Sequence, residues 1–172
     1  MGKKIVIVGG VAGGATAAAR LRRLDESAEI IVLERTGFVS YANCGLPYYV
    51  GGVIPEKSSL TLQSPESFRI RFNIDVRVLS EVTAIDRESK TVAVRNLATG
   101  EEYSLPYDKL ILSPGAKAMV PDTPGVHSKR VLKLRTVEDA LEMRRIVEEE
   151  KPERAVVVGG GFIGLEAAEN LM

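Results

Sequence analysis

The chain has 172 residues, 45% of them apolar, with 23 Lys and Arg against 23 Asp and Glu, the balance of a globular α/β protein rather than a fibrous or disordered one. Zero net charge provides no field to draw the chain onto nucleic acid or anionic lipid, and no apolar run is long enough for a membrane span or a signal-peptide core. Neither partner is expected, a cytoplasmic location is the default, and the single cysteine, Cys44, excludes an internal disulfide and any C-x-x-C metal or redox pair.

In chain order, Lys4 to Val8 (KIVIV) is a β-branched run that stops at a glycine cluster. An Ala-rich helix from Gly13 to Leu24 and a second strand from Ile30 to Leu33 complete a βαβ unit. Residues 38–64 are irregular and rich in Gly, Pro, Tyr and Ser, a length of connection that points to function rather than spacing. A short helix over Pro65 to Phe72 is followed by alternating segments near 76–79, 82–86, 91–96 and 102–105. The last three form an antiparallel meander around the turns at Arg87–Lys90 and Ala98–Glu101. Lys109 to Leu112 is a further buried strand running into the Pro- and Gly-rich stretch from Ser113 to Gly125, where a domain boundary is placed. Thr136 caps a helix over Val137 to Glu150, although the acidic run at 148–150 opposes the dipole at that end. Arg154 to Val158 then repeats the opening pattern: a β-branched strand, a glycine cluster and a helix.

The two glycine turns carry the first functional signal. Gly159-x-Gly161-x-x-Gly164 follows a strand and opens a helix, so the backbone can approach a pyrophosphate whose charge meets the helix N-terminus. In the first turn, Gly9-Gly10-Val11-Ala12-Gly13-Gly14, Val11 occupies the place of the second glycine. Its context is more complete, because Glu34 ends the second strand twenty residues after Gly14, where a carboxylate would accept from ribose hydroxyls. Two such turns fit a protein that holds one dinucleotide as a flavin and exchanges the other as a nicotinamide hydride donor. A doubly wound sheet with two ordinary turns is the alternative.

Cys44, in YANCGLPYY, follows Glu34 by ten residues, on the segment expected to leave the C-terminal edge of the sheet. A helix beginning at Gly45 or Leu46, with Pro47 in its first turn, would aim N–H groups at the sulfur and favour the thiolate. Its neighbours Asn43 and Gly45 suit a reactive thiol better than a core one. With Tyr49 rather than a second cysteine, the chain cannot store two electrons as a dithiol. The sulfur would then form a mixed disulfide or persulfide with a substrate, or cycle through a sulfenic acid. On the first helix Thr16, Arg20 and Arg23 share a cationic face that suits a phosphate-bearing thiol of coenzyme A type, or is simply a solvated surface. His127, the only histidine, reads as a surface residue.

IVIVGGVAGGATAAARLRRL, the Glu34 strand end, Ser40–Tyr48, Tyr107–Ala116 and the Gly159 turn resemble the single-cysteine branch of the flavin-dependent pyridine nucleotide-disulfide oxidoreductases. The likeness is nearest to coenzyme A-disulfide reductases, including rhodanese-fused members that act on persulfides, and to related NADH oxidases. The resemblance implies a Rossmann-like, three-layer FAD-binding domain with an antiparallel meander (1–115). A linker and the incomplete start of a second Rossmann-like, NAD(P)H-binding domain would follow (116–172). It implies that Gly9, Val11, Ala12, Gly13, Glu34 and Arg35 hold the ADP half of FAD, that the Val82 backbone meets the adenine, and that Ser113, Pro114 and Gly115 pass near the flavin. Gly159, Gly161 and Gly164 would receive NADH or NADPH. Cys44 would be the redox nucleophile, with Thr16, Arg20, Arg23, Ser40 and Asn43 contacting a disulfide or persulfide of coenzyme A type. Phe72 departs from the pattern, standing where some relatives carry a basic contact. The remainder of such an enzyme, including a dimerisation domain, lies outside this sequence, so the full-length parent is expected to be a homodimer. The alternatives are an oxidase or peroxidase using a sulfenic acid, and a non-catalytic nucleotide-binding fragment. No metal is implied.

Overall fold

A computed structural model describes residues 2–172. In chain order its elements are β1 (Lys4–Val8), α1 (Ala12–Leu24), β2 (Glu29–Leu33), α2 (Leu46–Val50), α3 (Pro65–Phe72), β3 (Asp75–Arg77), β4 (Ser80–Asp86), β5 (Thr91–Asn96), β6 (Glu102–Pro106), β7 (Lys109–Leu112), α4 (Val137–Arg145) and α5 (Phe162–Asn170). Among the described residues no helix is long and apolar enough to cross a membrane. The chain packs as two compact units, Met1–Tyr41 with Gln63–Gly115, and Ala42–Leu62 with Ala116–Met172.

The first unit has three layers. Its middle is a parallel sheet in the order β3-β2-β1-β7, with Val6 opposite Ile31 and Leu110. Strands covered on both faces read as unbroken apolar runs, and KIVIV and EIIVL divide accordingly. Ile5, Ile7, Ile30 and Val32 pack with Ala15 and Ala18 of α1 and Phe68 of α3. Val6, Ile31 and Leu33 pack with Val92, Val94 and Leu105 of the antiparallel β4-β5-β6 meander. Each such fully buried aliphatic side chain contributes about 1.5–3 kcal/mol. The meander strands have one solvated face and alternate, with Val92 and Val94 buried and Ala93 and Arg95 exposed. The expected fold class is therefore the observed one.

Small residues set how closely α1 lies on the sheet. Gly14, Ala15 and Ala18 are its buried positions, and the far end is tied down by Arg22. The Arg22 guanidinium donates to the carbonyls of Phe72 (2.8 Å), Asn73 (2.8 Å), Glu26 (2.7 Å) and Asp25 (3.2 Å). It thus satisfies carbonyls at the C-terminal ends of both α1 and α3, which helix geometry leaves without intrahelical donors.

In the second unit, α2 packs against α4 and α5. Thr136 and Asp139 form a reciprocal capping box at the start of α4. The helix expected over Val137 to Glu150 is α-helical only to Arg145; Ile146–Glu150 widens into a π turn, closed by the Lys151 N–H on the Ile146 carbonyl (3.2 Å). The Arg145 guanidinium gathers Glu142, Glu149 and Glu150 at 2.8–3.1 Å, offsetting the charge that opposes the dipole, and its hydrogen bond holds the Glu142 carboxyl below the usual range. A second expectation fails: residues 154–158 form no strand. A β-branched run becomes a strand only when its N–H and C=O groups find a ladder partner, and no described strand pairs with it. Val156 and Val158 are accordingly 88% and 92% exposed.

A Cβ placed on Gly14 would strike the Gly9 carbonyl oxygen, which is backbone and cannot swing away. Gly14→Ala is therefore expected to lower stability by about 1–3 kcal/mol in urea unfolding. Gly160→Ala, with nothing within 4 Å of the added atom, should change it by less than about 0.5 kcal/mol. Arg22→Ala should cost about 2 kcal/mol in the same measurement; a loss below about 0.5 kcal/mol would show that its four bonds are replaced by water without penalty.

Candidate functional site

The two glycine turns share one local geometry. Gly9 and Gly159 have φ of +95° and +118°, a region closed to most L side chains. Five residues on, a Cβ at Gly14 or at Gly164 would meet the carbonyl oxygen of Gly9 or Gly159 respectively. Both turns open helices, α1 and α5, that have no side-chain N-cap and no acid in the first turn. Unsatisfied N–H groups and the positive end of the dipole are thus left for an anion. Val11, the departure from the fingerprint, has φ −96° and ψ −130°, so it needs no left-handed backbone there.

Around the first turn the first unit gathers most of the residues singled out from sequence. Glu34 is only 6% exposed; its carboxylate accepts from the Gly10 N–H (2.7 Å), the Thr36 N–H (2.8 Å) and the Thr36 hydroxyl (2.8 Å). Its backbone is held as well, by the Arg77 carbonyl and the Ser80 N–H, each at 2.9 Å. A carboxylate offers about four lone-pair sites, so these three bonds leave one beyond them. Ser40, in the left-handed region at φ +49°, donates its N–H to the Gly10 carbonyl (2.9 Å).

Beyond β7, Ser113 returns to the turn, where its carbonyl lies against Gly9 and its hydroxyl against Gly13, so that a Cβ on either glycine would collide with it. Pro114 and Gly115 follow, exposed. Ala12 and Gly13 form the exposed start of α1, and Thr16, Arg20 and Arg23 lie exposed farther along it, while Ala17 and Leu21 pack inward. Arg35 is paired loosely with Glu81 (3.9 Å). Beside Glu81, Val82 precedes a one-residue slip in the β4–β5 ladder. Sequence reasoning missed Thr36, whose only signal was a hydroxyl two residues beyond the strand-end acid.

In the second unit Cys44 is exposed, within a 3₁₀ turn, Asn43–Gly45, that runs directly into α2 with Pro47 in its first turn. This is the helix start expected from the sequence. The exposure of Cys44 follows from the packing of its neighbours. Gly45 and Leu46 are buried, and a Cβ on Gly45 would press on Leu60 and Ile54 at 3.1–3.2 Å. With those positions facing inward, the turn presents its cysteine outward.

Two arginines that sequence reasoning passed over fix this segment. Arg144 of α4 donates to the carbonyls of Tyr49 (3.0 Å) and Ile54 (2.9 Å), with its guanidinium 4.7 Å from the centre of the Tyr49 ring. Arg135 donates to the Asn43 amide oxygen (3.2 Å) and to the Ala116 carbonyl (3.3 Å). No local pattern marks either role, because the partners in the cysteine segment lie some ninety residues away in sequence. Gly161 caps α5 and leaves open space where a Cβ would be, and His127 is exposed, as expected.

Comparison with known proteins agrees with these features. The family model described as pyridine nucleotide-disulphide oxidoreductase matches residues 3–172. The coenzyme A disulfide reductase of Staphylococcus haemolyticus (strain JCSC1435) is 41% identical over 169 residues, covering 98% of this chain and 38% of that protein. Among solved structures, the reduced Bacillus anthracis CoADR-RHD superposes with a TM-score of 0.97 at 54% identity, over 99% of this chain and 31% of that one. An NAD-dependent persulfide reductase from A. fulgidus superposes at 0.89 with 40% identity, over 98% and 32%. The chain thus spans less than two fifths of the length of these relatives, and it belongs to the pyridine nucleotide-disulphide oxidoreductase family.

Proposed function

We propose that this chain is the part of an FAD-dependent NAD(P)H oxidoreductase that holds the ADP half of FAD and carries the thiol that reduces a disulfide or persulfide of coenzyme A type. The observation that carries the reading is an exposed lone cysteine on a turn fixed by two arginines, in a chain with two pyrophosphate-type glycine turns of one geometry. The relatives named above, a coenzyme A disulfide reductase and a persulfide reductase, support the substrate class. In this reading residues 1–115 supply the first FAD-binding segment, and 116–172 the linker and the start of the NAD(P)H-binding domain. The full-length parent is a cytoplasmic homodimer.

The residues present fit FAD. The close approach of Gly9 and Gly13 to Ser113 keeps both positions free of side chains at the turn that opens α1. The α1 N-terminus is uncapped, and Glu34 keeps one acceptor site free. Gly9, Val11, Ala12 and Gly13 would hold the pyrophosphate, Glu34 and Arg35 the ribose side, the Val82 backbone the adenine, and Ser113, Pro114 and Gly115 the flavin end. Gly159, Gly161 and Gly164 would receive the pyrophosphate of NADH or NADPH. Bound FAD supplies two-electron transfer from a reduced nicotinamide to a disulfide.

The chain's own chemistry is thiol–disulfide exchange. The Cys44 thiolate attacks one sulfur of the substrate disulfide; the new S–S bond forms as the old one breaks, and one thiolate leaves, to be protonated by solvent. Delivery of two electrons and a proton then cleaves the mixed disulfide, restoring the Cys44 thiolate and releasing the second thiol. Thr16, Arg20, Arg23, Ser40 and Asn43 would bind the phosphates and chain of the substrate. Cationic side chains recognise phosphate through charge-assisted bonds, and neither Arg20 nor Arg23 is committed to an ion pair among the described residues.

In the full-length protein, Cys44→Ser is expected to retain its flavin absorbance while losing at least about a thousandfold in NAD(P)H-dependent reduction of coenzyme A disulfide. Reduction at the wild-type rate would refute the assignment, as would turnover with oxygen alone and none with disulfide or persulfide. Glu34→Ala frees the Gly10 N–H and both Thr36 donors. It should weaken flavin retention by about tenfold or more, read as the ratio of flavin to protein absorbance after gel filtration; an unchanged ratio would remove Glu34 from the flavin site.

A further inference from the structure

Asn43 precedes Cys44, and its amide oxygen accepts from the Arg135 Nη1 at 3.2 Å. Arg135 is itself fixed at two other points. Its Nε donates to the Ala116 carbonyl (3.3 Å), and its backbone N–H donates to Asp139 Oδ2 (3.0 Å), the carboxylate that also closes the α4 capping box through the Thr136 N–H. A guanidinium has five donors and no acceptor. An Asn43 amide turned by 180° would set its NH₂ against N–H donors, so Arg135 selects one orientation. The Arg135 bond takes one of the two lone pairs of the Asn43 oxygen and turns that oxygen toward the guanidinium, so the two N–H groups lie on the opposite side of the amide.

Resting on the reading of Cys44 given above, we propose that Arg135 is a positioning residue that turns the Asn43 oxygen away and presents the Asn43 N–H groups as donors to a ligand at the redox sulfur. The site thereby selects disulfides carrying a hydrogen-bond acceptor, such as an amide carbonyl, a few bonds from the sulfur. Disulfides that present only donors there, such as an ammonium, are disfavoured, because donor would face donor and a polar group would be desolvated without a partner. The specificity is set from α4 rather than from the cysteine segment itself.

The test compares kcat/KM of the full-length enzyme for coenzyme A disulfide, whose amide carbonyls lie near sulfur, and for cystamine, whose ammonium groups take their place. Asn43→Asp keeps the size of the side chain and the link to Arg135 but replaces the N–H donors with an acceptor. It should lower the ratio of coenzyme A disulfide to cystamine by about tenfold or more. Arg135→Met, which releases the amide to both orientations, should lower the ratio by about threefold and, combined with Asn43→Asp, should add nothing further. A purely structural role for Arg135 would lower the thermal midpoint and leave the ratio unchanged. Ratios equal to wild type in both single variants, each shown to retain flavin, would overturn the inference while leaving the role of Cys44 standing. Wild-type enzyme that reduces neither disulfide would overturn the proposed function and this inference together.

Discussion

The carbonyl of Gly9 lies where a side chain at position 14 would have to be, and most of the first unit follows from that backbone contact. It requires glycine at position 14, goes with a Gly9 of positive φ just after β1, and brings the first turn of α1, whose N–H groups have no side-chain cap, close to the end of that strand. Glu34 then locks the turn from the neighbouring strand by taking the Gly10 N–H. The buried carboxylate is a structural clamp, since its remaining bonds tie the end of β2 to Thr36. The same contact recurs at Gly159 and Gly164, so a single solution to backbone crowding supplies both nucleotide-type turns.

The cysteine segment is governed by a different constraint. A 3₁₀ turn followed by a five-residue helix has little stability of its own, and its conformation depends on arginines donated by α4 and the residues before it. Guanidinium groups suit this task because one planar donor set can satisfy several carbonyl oxygens at once. Arg144 holds the chain after Cys44, Arg135 the residue before it, and Gly45 and Leu46 anchor the turn from beneath. The sulfur is therefore exposed on a fixed support, the arrangement that thiol exchange with a large substrate requires.

What was legible in the sequence was what local chemistry decides. KIVIV and EIIVL announced strands covered on both faces, TVAVRN a strand covered on one, Thr136 a capped helix, and Pro47 the start of the helix after Cys44. Residues 154–158 show where such reading stops: they have the composition of a strand, but strand formation is settled by a partner ladder and not by the run itself. The helix after Thr136 reads as continuous because nothing in the run IVEEE marks the change from α to π hydrogen bonding at Ile146–Glu150. Thr36, Arg22, Arg135 and Arg144 were missed for a related reason. The partners that give the three arginines their roles are mostly backbone carbonyls or a single amide, and a carbonyl is present at every position of any sequence; Thr36 meets the Glu34 carboxylate only because the chain turns there. The role proposed for Cys44 rests on its immediate neighbours and on the family resemblance, whereas its support could be seen only in the fold.

The central claim is that the Cys44 sulfur exchanges with a coenzyme A-type disulfide, and the mass of the unreduced full-length protein after incubation with coenzyme A disulfide tests it most directly. The account predicts one coenzyme A adduct per chain, on the peptide containing Cys44, removed when NAD(P)H is added to the flavin-loaded protein. A protein that stays unmodified under these conditions, or an adduct that persists unchanged after NAD(P)H addition, would contradict it.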